Sequence, residues 1–242
     1  MLDKSLTQQL TAIDGVELDP AATFADLTTL RVGGKPQAAL RCSQPEAAVA
    51  VVRALDHAEV KFIVVGGGSN LLVADDAVDL VAVILDFDEV SMDTETGVVR
   101  AQAGAVWDDV VARSVELGLG GIECLSGIPG TVGAAPIQNI GAYGVEVGDR
   151  VVAVDAFDRH TGAFTRLDAA ACRFGYRDSV FKQQPDRWIV TAVEFALHRF
   201  AEPTLDYAGL RDVLAARGIT APRPLDVAEA VIDIRRSKLP DP

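Results

Sequence analysis

VKFIVVGGGSN, residues 60–70, is an apolar run that stops at three consecutive glycines followed by Ser and Asn. Residues 60–65 have the length and β-branched content of a buried strand, with Lys61 at its start. Upstream, Ala47, Val51, Ala54, Leu55 and Ala58 recur at helical spacing. They follow Ser43-Gln44-Pro45-Glu46, a capping-box pattern with Pro in the first turn. Residues 38–41 read as a short strand before that helix, and residues 80–85 as a buried strand after the loop. The sum is a β-α-β unit with a glycine loop at a strand's carboxyl end, where open α/β sheets bind ligands.

The loop itself, Gly66, Gly67, Gly68, Ser69 and Asn70, fits two readings. It is not a phosphate loop of the Gly-Lys-Ser/Thr kind, nor G-x-G-x-x-G, and no long amphipathic helix opens after it. One reading is a tight nest that binds a pyrophosphate through backbone N–H groups, with the Ser69 and Asn70 side chains assisting. Hydrogen bonds to a charged group contribute about 1.5–3 kcal/mol each, so three or four would anchor a dinucleotide. The other reading is a plain turn between strands.

Residues 118–148, GLGGIECLSGIPGTVGAAPIQNIGAYGVEVG, hold nine of the chain's 21 glycines and only two charges, Glu123 and Glu146. Each interior Gly costs a helix about 1 kcal/mol relative to Ala, and Gly gives a strand no side chain to pack. Such a run suits close approach of backbone to a flat or phosphorylated ligand. A purely structural loop is the competing reading.

Around these stretches the pattern is mixed. Residues 1–14 read as a short amphipathic helix and residues 28–34 as a strand start running into a turn. Residues 98–104 read as a strand, and 107–117 as a helix stopped by Gly118 with Val110, Val111 and Ser114 on one face. Residues 151–158 pair with 163–167 across a Thr-Gly turn, and Asp168 caps a short helix to Cys172. Residues 188–198 form an alternating strand, and 207–217 and 226–236 two helices.

A formal net charge of −13 over 242 residues excludes a general nucleic-acid or anionic-membrane binder, which needs a basic field. No basic leader with an apolar core is visible, and no apolar run nears the roughly 20 residues that span a bilayer. Cys42, Cys124 and Cys172 form no CxxC pair, and His57, His160 and His198 have no metal-ligand spacing. The expectation is a cytoplasmic protein with no metal site, its cysteines serving as buried small hydrophobes.

The motifs IPGTVGAAPIQNIGAYGVEVGD (128–149), CRFGYRDSVFK (172–182) and VVGGGSNLLV (64–73), with TLRVGG (29–34) and RRSKLPDP (235–242), closely resemble the UDP-N-acetylenolpyruvoylglucosamine reductase family. They occur in the family's order from about residue 28 to the end. The resemblance implies an α+β, two-lobed FAD-binding fold of the vanillyl-alcohol-oxidase type, with mixed sheets flanked by helices. The lobes would span about residues 20–85 and 86–200. Residues 201–242 would form a helical extension toward a substrate domain that the chain lacks.

The implied activity is NADPH-dependent reduction of UDP-N-acetylglucosamine enolpyruvate to UDP-N-acetylmuramate, in peptidoglycan precursor synthesis. FAD would be held non-covalently, because GGGSN lacks the His that tethers flavin in many oxidases of this fold. Carried over by position, Gly66, Gly67, Gly68, Ser69, Asn70, Ile128, Pro129, Gly130, Gly133, Ala134, Gln138 and Asn139 line the FAD. Arg177 contacts the enolpyruvyl carboxylate; an ordinary ion pair with Asp178 is its alternative. Tyr143, Tyr207, Arg235 and Lys238 contact the UDP-sugar, Tyr207 otherwise being a packing aromatic and Lys238 a helix-end cation. The family's proton-donating Ser and a late Glu have no counterpart here, so feeble turnover is expected. An FAD-dependent oxidase on the same fold and a non-catalytic flavin- or nucleotide-sugar-binding module are the other readings.

Overall fold

The computed structural model describes residues 2–199 and 202–238, and the statements below concern those residues. Helix α1 (Lys4–Thr11) is capped by Asp3, whose carboxylate accepts from the N–H groups of Ser5 and Leu6. Strands β1 (Val16–Leu18), β2 (Pro36–Cys42), β3 (Phe62–Val65) and β4 (Val78–Leu85) form the first sheet, in the order β1-β2-β4-β3. β1 is antiparallel to β2, whereas β2, β4 and β3 are parallel. Leu40, Cys42, Val81 and Val83 fall to one face, and Ala39, Val65, Ala82 and Ile84 to the other. Both faces are buried, which is why residues 80–85 read as one unbroken apolar run.

Helix α2 (Phe24–Leu27) covers one face, with Leu71 and Val73 from the loop after β3. Of the strand start running into a turn expected over residues 28–34, the strand part does not form. Gly34 donates to Ala74 O and Gly33 to Asp75 Oδ1, so this backbone bonds to a loop and not to a ladder. Arg31 and Gly33 have φ of 53° and 127°, incompatible with a strand.

Helix α3 (Pro45–His57) covers the other face and carries the chain from β2 to β3. Pro45 takes the first turn, but no capping box forms. Gln44 is the N-cap without a side-chain bond, and the Ser43 hydroxyl donates to Gly15 O at 3.2 Å. The expected stripe is half of what the helix buries. Ala47, Val51 and Leu55 pack on the first sheet, Ala58 is exposed, and Val49 and Val52 pack against Phe157 and Ile189. β3 starts at Phe62 because the Val60 N–H is used by Leu55 O to close the helix.

The chain continues through β5 (Val90–Met92), β6 (Val98–Gln102) and α4 (Trp107–Glu116). Short strands β7 (Leu119–Gly120), β8 (Gly141–Ala142) and β9 (Val145–Glu146) interrupt the glycine-rich stretch. Then come β10 (Val151–Asp158), β11 (Ala163–Asp168), α5 (Ala169–Cys172) and α6 (Val180–Gln183). Last are β12 (Trp188–Ala196), β13 (His198–Arg199), α7 (Ala208–Ala216) and α8 (Pro224–Lys238). The second sheet, β11-β10-β12-β6-β5, is antiparallel throughout.

The single strand expected over residues 188–198 divides. β12 ends at Ala196, and His198 and Arg199 pair with Gly120 and Leu119. Leu197 donates to Gly97 O, and a Cβ on Gly97 would lie 2.1 Å from Leu197 O, so the chain turns off where only glycine fits.

The main core lies between the second sheet, α4 and the terminal helices. Trp107, Ile122, Leu125, Phe195, Leu210 and Val231 are at most 1% exposed. Trp107 also donates from Nε1 to Leu125 O at 3.1 Å, anchoring α4 to the glycine-rich stretch. At the far end of β10, Asp158 accepts from Arg187 Nη2 at 2.7 Å and Nε at 3.0 Å. That pair, which sequence reading missed, holds the Asp158 carboxyl down at about 2. The boundary expected near residues 200 and 201 lies outside the described residues, as do residues 239–242 of the RRSKLPDP motif.

Candidate active site

The two glycine segments meet. A Cβ on Gly67 would lie 2.7 Å from Gly130 Cα, and one on Gly66 would lie 2.5 Å from Thr131 Oγ1. The Ser69 hydroxyl donates to Pro129 O at 3.2 Å, tying the loop after β3 to the start of the second segment. Gly68 is left-handed, with φ of 61°, and a Cβ there would lie 2.0 Å from Leu27 O. Gly66 and Gly67 are nevertheless exposed to solvent on their other side.

This arrangement passes a simple test for a dinucleotide. Among the described residues, the N–H groups of Gly67, Gly68, Ser69 and Asn70 donate to no protein acceptor. Consecutive unused backbone donors, the first two on glycines without a Cβ, suit a pyrophosphate. Ala134 sits beside Gly66, Pro129 is exposed and Ile128 half-buried, so these residues border the contact. Gly133 does not: it is buried, its N–H is taken by Ala103 O, and a Cβ would strike the Ala103 side chain at 2.6 Å. It serves packing.

Beyond Ala135 the second segment reaches Arg177. Residues 137–139 face residues 179–175 as three rungs. Ser179 Oγ donates to Ile137 O at 2.6 Å, Arg177 Nη2 to Gln138 Oε1 at 2.9 Å, and Asn139 Nδ2 to Gly175 O at 2.9 Å. Tyr176 and Arg177 form a tight turn closed by paired bonds between Gly175 and Asp178, both 3.0 Å. Arg177 is left-handed, with φ of 54°. Such strain costs about 1–3 kcal/mol. Lys182 Nζ donates to Arg177 O at 2.7 Å, and a charge-assisted bond of about 1.5–3 kcal/mol is enough to offset it.

The Asn139 side chain, expected at the cofactor, works as a clamp within the protein. It is 1% exposed, its Nδ2 also donates to Glu146 Oε2, and its Oδ1 accepts from Gly148 N–H. The alternative of an Arg177–Asp178 ion pair is not adopted. Asp178 accepts from Gln183 Nε2, and among the described residues Arg177 pairs with no carboxylate. An exposed guanidinium without a counter-ion in an acidic chain is primed for an anionic ligand.

The four residues expected at the UDP-sugar do converge. Tyr143 and Tyr207 stack edge to face with centroids 5.1 Å apart. Lys238 Nζ donates to Tyr207 Oη at 3.2 Å and lies 5.6 Å from that ring's centre. Burial raises the Tyr143 hydroxyl pKa, while Arg235 and Lys238 pull it the other way. Arg235 packs on Gly127, where a Cβ would lie 2.8 Å from its Nε. A cleft of about 640 Å³ at the amino ends of β2 and β4, lined by Leu18, Pro36 and Val78, has no part in this arrangement.

Sequence reading missed Lys182 as a partner of Arg177, and Thr29, which donates to Gly67 O at 3.3 Å. The only signal for Lys182 was its place three residues after the capping Ser179. Cys42, Cys124 and Cys172 are buried, and burial pushes each thiol up to about 12.

The FAD binding domain family matches residues 36–168, more than half of the chain. UDP-N-acetylenolpyruvoylglucosamine reductase of Corynebacterium glutamicum (strain R) is 48% identical over 98% of this chain and 66% of its own length. The chain thus spans slightly less than two thirds of that curated relative. A crystal structure of UDP-N-acetylenolpyruvylglucosamine reductase from Thermus caldophilus aligns with TM-score 0.62 and 26% identity, over 93% of this chain and 96% of that one. An alkyldihydroxyacetonephosphate synthase structure aligns at TM-score 0.60 and 16% identity over 82% of this chain and 41% of its own, which speaks for the fold alone. The fold is the mixed-sheet FAD-binding fold of the vanillyl-alcohol-oxidase type. This chain therefore belongs to the FAD binding domain family, and over almost its whole length it is similar to part of the UDP-N-acetylenolpyruvoylglucosamine reductases.

Proposed function

We propose that the chain binds FAD non-covalently along the contact between its glycine segments and serves the NADPH-dependent reduction of UDP-N-acetylglucosamine enolpyruvate to UDP-N-acetylmuramate. Bound FAD would supply the two-electron chemistry, taking hydride from NADPH and delivering it to the alkene. Arg177 receives the carboxylate of the enolpyruvyl group. Hydride added at the carbon β to that carboxylate drives an electron pair toward its oxygens, where a guanidinium offers two parallel N–H bonds. One proton then completes the product at the carbon next to the carboxylate, and no described residue is assigned to deliver it. Tyr143, Tyr207, Arg235 and Lys238 bring aromatic faces and positive charge suited to a nucleotide diphosphate.

The observation that carries this reading is Arg177: exposed, strained, held by a neutral amide and unpaired with any described carboxylate. The test is to reconstitute the chain with FAD and titrate it with UDP-N-acetylglucosamine enolpyruvate while following the flavin absorption band. A saturable shift is expected. A band that does not move, or a protein that will not take up FAD, overturns the proposal.

A further inference from the structure

We infer that Gln138 is a positioning residue that aims Arg177 while leaving it fully charged, and is not a contact of the cofactor. The inference rests on the function just proposed. A guanidinium can only donate, so the amide oxygen of Gln138 must face it, and the 2.9 Å bond fixes both groups. A carboxylate at that position would bind Arg177 more strongly but would neutralise the charge that an anionic ligand needs. An amide gives direction without neutralisation. The rungs on either side, Ser179 to Ile137 and Asn139 to Gly175, set the spacing of the two strands of chain. Lys182 grips Arg177 from the main-chain side, through its carbonyl. Among the described residues Arg177 Nη1 and Nε carry no bond, so one edge of the fork stays open.

The experiment compares wild type with Gln138→Leu and Gln138→Glu in the FAD-reconstituted 242-residue chain. Three dissociation constants are read: for FAD, for UDP-N-acetylglucosamine enolpyruvate, and for UDP-N-acetylglucosamine, which lacks the carboxylate. Gln138→Leu is expected to weaken the enolpyruvyl ligand about threefold to tenfold. Gln138→Glu is expected to weaken it by about tenfold or more, because the new carboxylate competes for Arg177. FAD and UDP-N-acetylglucosamine should bind each variant as they bind wild type. A parallel loss of FAD affinity would make Gln138 a cofactor contact and overturn the inference. So would equal losses for the ligands with and without the carboxylate, or no change at all.

If wild type itself gives no flavin shift, the proposed function fails and the brace is judged without ligand. The guanidinium NMR signals of Arg177 should then show hindered rotation in wild type and free rotation in Gln138→Leu. Free rotation in both would refute it.

Discussion

Gly67 and Gly130, sixty-three residues apart in sequence, are in backbone contact: a Cβ added to Gly67 would lie 2.7 Å from Gly130 Cα. The obstacle is main chain, which cannot swing aside as a long side chain can. Gly67→Ala should therefore push the two segments apart and lower FAD affinity at least about tenfold, equivalent to about 1.4 kcal/mol. Gly118→Ala is the control, because a Cβ there meets nothing within 4 Å, although its φ of 75° carries its own strain. Fluorescence quenching of added FAD measures both. Equal affinities for wild type and Gly67→Ala would show that the contact has no bearing on the cofactor.

Arg177→Ala should leave FAD uptake intact and lower kcat by roughly 10²–10³-fold in an enzyme that turns over, the usual effect of losing one donor to a developing oxyanion. Arg177→Lys should recover little of that loss, since an ammonium cannot make the two parallel bonds. Steady-state kinetics alongside flavin absorbance separate the two properties. Turnover that survives the alanine change unaltered rules out the assigned role.

Asp158 is buried but Arg187 is partly exposed, with 3% and 30% of their side-chain surfaces accessible. The pair lies between the surface and buried limits, and Asp158→Asn should destabilise the fold by about 1–3 kcal/mol at pH 7. The folded carboxyl is held at about 2, chiefly by its bond to Arg187 and below the ordinary value of 3.8, so folding binds fewer protons than unfolding. The pair's contribution is thus complete above about pH 4 and disappears as pH falls toward 2. Urea melts of wild type and Asp158→Asn should differ at pH 7 and converge near pH 2. A constant gap across that range contradicts the assignment.

The thiols of Cys42, Cys124 and Cys172 stand at about 12, raised first by burial and then by nearby carboxylates such as Asp86, Glu123 and Asp168. At pH 8 almost none is thiolate, the nucleophilic form. A thiol reagent should modify none of the three in the folded protein and all three in 6 M guanidinium, about the concentration that unfolds most domains. Rapid labelling of the native chain would place at least one of them at the surface.

What periodicity alone encodes was readable. β10 runs over residues 151–158 and pairs with β11 as expected, and α4 buries Val110, Val111 and Ser114. What depended on partners remote in sequence was not. The second stripe on α3, Val49 and Val52, has meaning only once Phe157 and Ile189 arrive from another sheet. The loop at residues 28–34 looked like the start of a strand because its apolar residues hide two left-handed positions. At the site, residue types were legible and roles less so. Asn139 belongs to the glycine-rich motif, but its three bonds all point into the protein. Arg177 has Asp178 beside it in sequence, yet its partner is Gln138, 39 residues away.

Helix α3 touches both sheets at once, and this restricts how a large ligand gains entry. Swinging the sheets apart about a hinge would strip Val52 from Phe157 on one side or Leu55 from Val83 on the other. Each fully buried aliphatic side chain exposed costs about 1.5–3 kcal/mol, and Arg159, bonded to Asp56 and stacked on Phe62, adds to the toll. The helix acts as a keel. The exchange rate of a cofactor held at the glycine contact should then follow substitutions at the exposed rim of the glycine loop, such as at Leu72, and not those that loosen the keel.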